Sequence, residues 1–335
     1  MDNPCPLWTN VSSVMNTIPS IFNEHQVPLS ILNGNETIEN PRLPIAVILL
    51  NVGSGGLYRG KILENLVKSG FSSIVSIDKV QGKYNVEEMI KNYPTVKFII
   101  PRDTVSIGDM INIGMSEITE DYALVINDSI HVTSALLSAN VIERYIIQDY
   151  FCLAPKMVDF QRRPLPVRFS PALENSSLKP EFSDVITDKS PTLYPFDFVG
   201  IYNRAKFMRL GGYDYTITSP YWQNLDFSLR AWLWGEEIIM SPLFQLAYEG
   251  DVPVPDTTPD HTQLRFFLKN GAPRYVENRC YIPISQFISY RRRSKLPLGL
   301  AYKEFVEARR WVAKHKFAFQ QDLSMLIDNW GEIIR

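Results

Sequence analysis

Short apolar runs alternate with helical patterns through the first half of the chain. The first run, residues 45–50, is continuous and ends at a glycine-rich turn, which is typical of a strand buried on both faces of a sheet. Further strands are predicted at residues 73–77, 96–100 and 122–126. The periodicity between them predicts helices over residues 61–69, 86–92 and 107–118. Strands and helices that alternate in this way predict an α/β fold, with βαβ units around a mostly parallel sheet.

The second half of the chain is less regular. Residues 161–195 are rich in proline and serine and lack periodicity, so we predict a long loop over the ligand site. The pattern of elements resumes at residues 198–201, and helices are predicted near 135–148, near 204–210, over the segment that ends at Gly235, and near 319–330. The predicted organisation is an N-terminal extension (1–44), a central domain (45–250) and a C-terminal, mainly helical extension (251–335).

Composition narrows the functional classes. The 335 residues carry 34 Lys and Arg against 36 Asp and Glu, and the net charge of −2 gives no overall electrostatic basis for binding nucleic acid. No stretch of about 18 apolar residues predicts a transmembrane segment, and the N-terminus lacks the pattern of a secretory signal. Three cysteines without a C-x-x-C pair indicate neither a disulfide framework nor a structural zinc site. We therefore expect a cytoplasmic protein that is able to lie peripherally at the inner membrane face.

Polar residues follow the predicted strands, where the ligand site of a parallel sheet is expected. These positions are residues 51–56, Asp78, residues 102–103 and residues 127–129. A carboxylate at Asp78 is suited to accept hydrogen bonds from a ribose or a base edge, and a helix cap or turn is the alternative. The oxygen-bearing side chains of residues 127–129 are suited to hold a divalent cation against a diphosphate.

The glycine-rich turn has three interpretations. Residues 55–61 satisfy the G-x-x-x-x-G-K pattern of a phosphate-binding loop, but Ile62 stands where that loop needs a hydroxyl for magnesium. The turn is also similar to the loop of sugar nucleotidyltransferases, in which an Arg and a Lys, here Arg59 and Lys61, cradle a triphosphate. In the third interpretation the glycines only permit a tight turn between strand and helix.

A series of weak motifs occurs in a fixed order between residues 45 and 242. The most specific are Phe-Val-Gly-Ile-Tyr-Asn-Arg at 198–204, Leu-Gly-Gly-Tyr-Asp at 210–214, Trp-Gln-Asn-Leu-Asp-Phe-Ser-Leu-Arg at 222–230 and Trp-Gly at 234–235. The series resembles the GT-A nucleotide-sugar glycosyltransferases, particularly the large inverting family of bacterial polysaccharide synthesis. The resemblance implies a Rossmann-like GT-A fold with a mixed, mostly parallel sheet flanked by helices and a C-terminal helical extension. It also implies transfer of a sugar from a nucleoside diphosphate sugar to a glycan, polysaccharide or lipid-linked acceptor.

The resemblance assigns roles residue by residue. It implies donor-binding residues Asp78, Asn112, Asn127, Asp128 and Arg230, catalytic residues Asp226 and Asn224, acceptor-binding residues Gly212 and Trp222, and Asp128 and His261 as ligands of a divalent metal, manganese or magnesium.

This sequence departs from the family pattern at both acidic motifs. Asn127 and Ser129 replace the two carboxylates of the D-x-D metal motif, and amides at residues 223–224 replace the E-D pair. An amide has no basic state near neutral pH, so it cannot take a proton from an acceptor hydroxyl. Asp226 then remains as the candidate base, and Asp128 as the one carboxylate for a metal.

Three functions remain open on these observations. The first is a glycosyltransferase-like protein that uses a nucleoside diphosphate sugar. The second is a catalytically degenerate module that binds a ligand or acts as a scaffold, and the third is a sugar nucleotidyltransferase. The basic run 291–295 is likewise open to interpretation as a phosphate clamp, a contact for anionic lipid headgroups or a solvated loop.

Overall fold

The protein folds around one ten-stranded mixed sheet. The computed structural model describes residues 25–34, 36, 38, 41–53, 56–79, 86–132, 139–174 and 177–333. The strands are β1 Leu29–Leu32, β2 Leu43–Asn51, β3 Phe71–Asp78, β4 Val96–Pro101, β5 Tyr122–Asn127, β6 Ile130–His131, β7 Cys152–Val158, β8 Arg168–Ser170, β9 Leu173–Glu174, β10 Ser177–Leu178, β11 Glu181–Ser183, β12 Ser190–Pro191, β13 Gly200–Asn203, β14 Ile238–Tyr248, β15 Arg274–Val276 and β16 Arg279–Tyr281.

Helices flank this sheet and form most of the chain after its last long strand. They are α1 Gly56–Ser69, α2 Val86–Asn92, α3 Ile107–Glu117, α4 Ala139–Ile146, α5 Arg204–Leu210, α6 Pro220–Leu233, α7 His261–Phe266, α8 Gln286–Ser294, α9 Leu298–Lys314 and α10 Leu323–Ile333, with a 3-10 turn at Phe196–Phe198 and a π-helical turn at Phe267–Gly271. In the described part of the chain, no helix combines the length and the apolarity needed to cross a bilayer.

The strand order is β1-β4-β3-β2-β5-β13-β7-β14-β12, and β6 also pairs with β14. Strands β2 to β5 are parallel neighbours, and β7 is parallel to β14. Strand β13 is antiparallel to both β5 and β7, so β2, β3, β4, β5, β7 and β14 all run in one direction. The predicted fold class, a mixed and mostly parallel sheet with flanking helices and a C-terminal helical region, is confirmed.

The continuous apolar run of β2 lies at the centre of the parallel strands. Ile45, Val47 and Leu49 are fully buried, and so are Ala46 and Ile48 on the opposite face of the sheet. Because side chains on both faces of β2 are buried, the sequence of this strand does not alternate between apolar and polar residues.

Two segments predicted to be irregular contain strands. Part of the N-terminal extension forms β1, in which Leu29 lies opposite Pro101 of β4 and Leu32 opposite Phe98. The predicted loop over 161–195 contains the short strands β8 to β12. These strands have two to four residues, which is too short for a period to be visible in the sequence. Residues 1–24 of the predicted extension lie outside the described residues.

The C-terminal helices pack on the body of the protein. Trp330 of α10 makes an edge contact with Trp232 of α6, with ring centroids 4.9 Å apart, and Trp311 of α9 stacks near Trp234. The helix predicted near 319–330 is α10, which begins four residues later than predicted because Phe319 lies in the connection between α9 and α10.

The close approach of α3 to β2 requires a glycine at position 114. A Cβ atom added to Gly114 would lie 2.6 Å from Cγ2 of Ile48. We expect Gly114→Ala to lower the free energy of unfolding by about 1–3 kcal/mol, because the extra carbon overpacks this contact. Urea denaturation measures the change.

Gly331→Ala is the matched control for this prediction. Gly331 also lies in a helix, α10, but an added Cβ meets nothing within 4 Å. This variant should gain stability by about 0.5–1 kcal/mol through helix propensity alone. A Gly114→Ala protein as stable as the wild type would contradict the packing argument.

Candidate functional site

A cleft of about 380 Å³ opens beyond the carboxyl ends of β2 and β5. The chain runs from β2 outward to β3 and β4, and then crosses to the other side of β2 to form β5, so the strand order reverses between β2 and β5. Ligands of open α/β sheets bind at such a reversal. The ends of β5 and β14, the 3-10 turn, the start of α6 and residues 251–256 complete the lining.

Asp128 joins the ends of the two central strands. The backbone N–H of Gly53, after β2, donates to both of its carboxylate oxygens at 3.1 Å, and the N–H of Asp128 donates to the carbonyl of Leu50. Burial raises the pKa of the Asp128 carboxyl, and the hydrogen bonds from the backbone of Gly53 and Val52 act in the opposite direction. Asp128 thus fixes the edge of the cleft at the point where the strand order reverses.

Asp197 is a partly buried acidic residue of the cleft lining that the sequence did not indicate. It lies in the 3-10 turn with left-handed backbone angles (φ 51°, ψ 34°), and its carboxylate accepts hydrogen bonds from Asn127 Nδ2 and from the Tyr248 hydroxyl at 3.0 Å. Burial raises the pKa of Asp197 to about 6, although both hydrogen bonds lower it and the charge of Asp128 raises it further. The only sequence signal is an acid between two phenylalanines directly before a strand, which does not reveal the left-handed turn.

Aromatic side chains form the apolar wall of the cleft. Tyr194 stacks on Phe169 with ring centroids 4.1 Å apart, and Tyr221 meets the edge of Tyr194 at 6.2 Å. Trp222, the predicted acceptor-binding residue, is 4 % exposed, and its Nε1 donates to the carbonyl of Thr258. The ring that lines the cleft is therefore that of the neighbouring Tyr221.

Of the two amides that replace the E-D pair, only Asn224 lines the cleft. Its Nδ2 donates to the carbonyl of Pro195 at 2.8 Å. Gln223 is fully buried, accepts from the N–H of Gly108 at 2.9 Å, and donates to the hydroxyl of Ser106 at 2.8 Å. Gln223 therefore holds the start of α3 against α6, and Asn224 alone of the pair is in a position to meet a ligand.

Asp226, predicted to be catalytic, lies in a buried ion network behind the cleft. It is fully buried, and its carboxylate accepts from Asn270 Nδ2 at 2.7 Å and from Lys269 Nζ at 3.0 Å. Arg230, predicted to bind the donor, contacts the same carboxylate at 3.3 Å and donates to the carbonyl of Gly212 at 2.7 Å. Neither these side chains nor Gly212, predicted to bind the acceptor, line the cleft, so none of the three roles is supported by its position.

Asp214 is the second acid of this network. Lys269 donates to it at 2.8 Å, and Arg265 lies 3.4 Å away. Burial by itself raises its pKa, but the positive charges of Lys269 and Arg265 prevail and hold the pKa of Asp214 well below its usual range. The guanidinium of Arg230 lies over the rings of Phe227 and Trp311, so these two aromatic rings also stabilise its buried charge.

Two predicted donor-binding residues also have partners inside the protein. Asn112 donates to the carbonyl of Tyr213 at 2.9 Å and accepts from its N–H at 2.8 Å. Asp78 is 1 % exposed, and its two oxygens meet the guanidinium of Arg59 at 2.8 and 3.0 Å. A direct contact of either residue with a nucleoside stays a prediction.

The contact between Arg59 and Asp78 also bears on the glycine-rich turn. Arg59 is 3 % exposed and so is not free to cradle a triphosphate, as the nucleotidyltransferase interpretation requires. Lys61 is mostly exposed, with its Nζ 3.7 Å from Glu249. Gly55 of the phosphate-loop interpretation lies outside the described residues.

The described residues do not form a binding site for a divalent cation. They contain no group of three or more His, Cys, Asp and Glu side chains placed to hold a metal. Both oxygens of Asp128 accept from Gly53, and Oδ1 of Asn127 accepts from the N–H of Ser129. His261, the other predicted ligand, is exposed at the first turn of α7 and does not line the cleft.

Solved structures match this chain at low sequence identity. GalNAc-T7, solved with UDP, GalNAc and Mn²⁺, is 14 % identical with a TM-score of 0.51, over 82 % of this chain and 57 % of its own. TarS of S. aureus (16 % identical, TM-score 0.47, covering 67 % and 38 %) and the mannosyltransferase PcManGT of Pyrobaculum calidifontis with GDP-Man and Mn²⁺ (10 % identical, TM-score 0.46, covering 89 % and 76 %) are more distant.

The similarity to GalNAc-T7 concerns the fold alone. The chain has a GT-A-like fold, as the ordered motifs imply, and it spans little more than half of the length of GalNAc-T7. No protein-family model and no curated protein matches the sequence.

The buried network predicts a structural phenotype for Asp226. We expect Asp226→Ala to lower the free energy of unfolding by about 3–5 kcal/mol, because Lys269 and Arg230 lose a buried counter-charge. Asp251→Ala, at an exposed position of the cleft lining, is the control and should change stability by less than about 0.5 kcal/mol. Equal urea midpoints for the two variants would contradict the network.

The hydrogen bond from Tyr248 predicts the direction of a pKa change. Because this bond favours the charged carboxylate, Tyr248→Phe should raise the pKa of Asp197 above its value of about 6. Carbon-13 NMR of the carboxyl groups across a pH titration measures it. Tyr221→Phe removes a hydroxyl from the same cleft without touching Asp197 and should leave the value in place, whereas a lower pKa in Tyr248→Phe would refute the argument.

Proposed function

We propose that the protein binds a nucleoside diphosphate sugar in the cleft and transfers its sugar to a hydroxyl of a glycan, polysaccharide or lipid-linked acceptor. The observation that carries the proposal is the convergence of Asn127, Asp197 and Asn224 with aromatic rings at the reversal of strand order. The amides and the carboxyl suit the hydroxyl groups of a sugar, and the rings suit its C–H faces. The proposed setting is the cytoplasm, in the synthesis of a surface polysaccharide.

In this proposal Asp197 takes the proton of the acceptor hydroxyl. The acceptor oxygen then forms a bond to the anomeric carbon, and the bond from that carbon to the diphosphate oxygen breaks, with its electron pair leaving on the nucleoside diphosphate. Direct displacement inverts the anomeric centre. A carboxyl with a pKa of about 6 is mostly ionised at neutral pH and still more basic than an ordinary aspartate, as a general base requires.

We assign the role of base to Asp197, and not to Asp226, because the two carboxylates have different surroundings. Asp226 is fully buried and bonded to Lys269 and Asn270. Asp197 lines the cleft and has two neutral hydrogen-bond donors, Asn127 and Tyr248, which orient the carboxylate without neutralising it.

The negative charge of the leaving diphosphate requires stabilisation as well. A neighbouring pocket of about 320 Å³ shares Tyr248 with the cleft and is lined by Lys61, His131 and Arg162, together with the acids Asp159 and Glu249. In the proposal, Lys61, Arg162 and backbone N–H groups take the place of a metal ion.

A second candidate function is that of a binding module without turnover. It is favoured by the amides at residues 223–224 and by the lining of the main cleft, which has no Lys or Arg among the described residues. Such a module would bind a nucleoside diphosphate sugar and leave it intact.

Calorimetric titration with UDP, GDP and their sugars, each with and without Mn²⁺ or Mg²⁺, tests the proposal. We expect a nucleoside diphosphate to bind, with an affinity that the metal does not change. Failure of all of these ligands to bind would refute the donor site, and binding that requires a metal would refute the metal-free phosphate site.

The role of Asp197 is tested by Asp197→Asn. The ligand affinity should stay within a few-fold, while kcat for sugar transfer falls by roughly 10²–10⁴-fold through loss of the base. The wild-type rate should rise with pH through about 6, because the ionised carboxylate is the active form. Asp256→Asn, on the exposed side of the same cleft, is the matched control. Undiminished transfer by Asp197→Asn would exclude Asp197 as the base, and intact sugar nucleotide after incubation with wild type would favour the binding module.

A further inference from the structure

Helices α8 and α9 expose a set of large apolar side chains. Ile284, in the turn just before α8, and Ile288 of α8 are 72 % and 60 % exposed, and Leu298 and Tyr302 of α9, one helical turn apart, are 64 % and 61 % exposed. The ring of Phe287 meets that of Tyr302 at 6.1 Å, which holds the two helices together at this point. These four exposed residues define what we call the α8–α9 surface.

The surface continues along the outer side of α9. A groove of about 270 Å³ between Tyr281 and this helix is lined by Val306, Arg309 and Arg310. Val306 and Arg310 follow Tyr302 at intervals of four residues, so they extend the same stripe of the helix. A different stripe of α9 packs on the protein, through Ala301, Phe305, Ala308 and Val312.

Positive charge is concentrated around this surface. Residues 281–316 contain nine Lys or Arg and two Asp or Glu, although the whole chain has a net charge of −2. Arg292, Lys295 and Arg310 are exposed, and Arg293 is exposed beside the ring of Phe267. One of the two acids, Glu304, accepts a hydrogen bond from the Tyr290 hydroxyl. The remainder of the chain therefore carries the negative excess, and this one region is strongly basic.

We propose that the α8–α9 surface docks on an anionic lipid bilayer. Exposed isoleucine, leucine and tyrosine side chains insert at the boundary of headgroups and acyl chains, and the surrounding Arg and Lys bind the headgroup phosphates. An apolar patch alone would suit a protein partner equally well, but the local excess of positive charge matches an anionic membrane. The contact lies on the membrane surface and does not depend on the proposed sugar transfer.

Cosedimentation with vesicles tests the proposal. Wild-type protein should bind vesicles of phosphatidylcholine mixed with phosphatidylglycerol, should bind poorly to phosphatidylcholine alone, and should be released by salt. Each basic residue near an anionic surface contributes about 1 kcal/mol, so Arg292→Glu with Arg310→Glu should weaken binding by about thirtyfold or more. Ile288→Ser with Leu298→Ser should weaken it as well, through loss of the inserted side chains.

Matched variants control for charge and for exposed apolar area. Lys91→Glu with Lys189→Glu makes the same change in net charge at exposed positions outside the surface, and Phe182→Ser removes an apolar side chain that is 71 % exposed elsewhere. Both controls should bind as the wild type does. Thermal unfolding of all variants checks that they fold, which is expected because the altered side chains are exposed.

Three outcomes would overturn the proposal. The first is absence of binding to anionic vesicles, and the second is binding that the surface variants and the control variants weaken equally. The third is self-association of the wild type, measured by analytical ultracentrifugation, that Ile288→Ser with Leu298→Ser abolishes while no vesicle binding is found, since this would identify the surface as a contact between two copies of the chain.

Discussion

The buried ion network of Asp214, Asp226, Arg230 and Lys269 holds the second half of the protein together. Its acids come from the loop after α5 and from α6, and Lys269 comes from the π-helical turn that follows α7. Charges of this kind are costly to bury unless each finds a partner with good geometry. The network therefore determines how the C-terminal helices pack on α6. Because Asn224 and Tyr221 belong to α6, it also determines their positions in the cleft.

The same logic explains why polar residues of the ordered motifs lie behind the cleft instead of in it. Gln223, Asn112 and Asp78 each satisfy buried polar groups of a neighbouring element, namely the start of α3, the backbone of Tyr213 and the guanidinium of Arg59. A buried N–H or carbonyl without a partner is destabilising by about 1–3 kcal/mol. These side chains thus maintain the shape of the wall, and Asn127, Asp197, Asn224 and the tyrosines form the surface that faces a ligand.

The parallel half of the sheet was predictable from the sequence because its signal is local. β2 and β5 are continuous apolar runs, and the helices between the strands have a clear period. The location of the cleft followed from the rule for the reversal of strand order. Asp197 and the partners of Asp226 were not predictable, because a left-handed turn at a non-glycine residue and a lysine 43 residues further along the chain leave no periodic trace. Motif position alone suggested that Asp226 and Arg230 face a substrate, whereas their burial depends on residues that the motif does not contain.

The sequence separation within the ion network has a consequence for biosynthesis. Asp226 leaves the ribosome 43 residues before Lys269. Its carboxylate is therefore expected to stay in contact with water until Lys269 has been synthesised. Docking of α6 in its final position is thus held back until the C-terminal region arrives. The parallel strands β2 to β5 pair with one another within residues 43–127 and can do so before the C-terminal region is made. The wall of the cleft is therefore completed last.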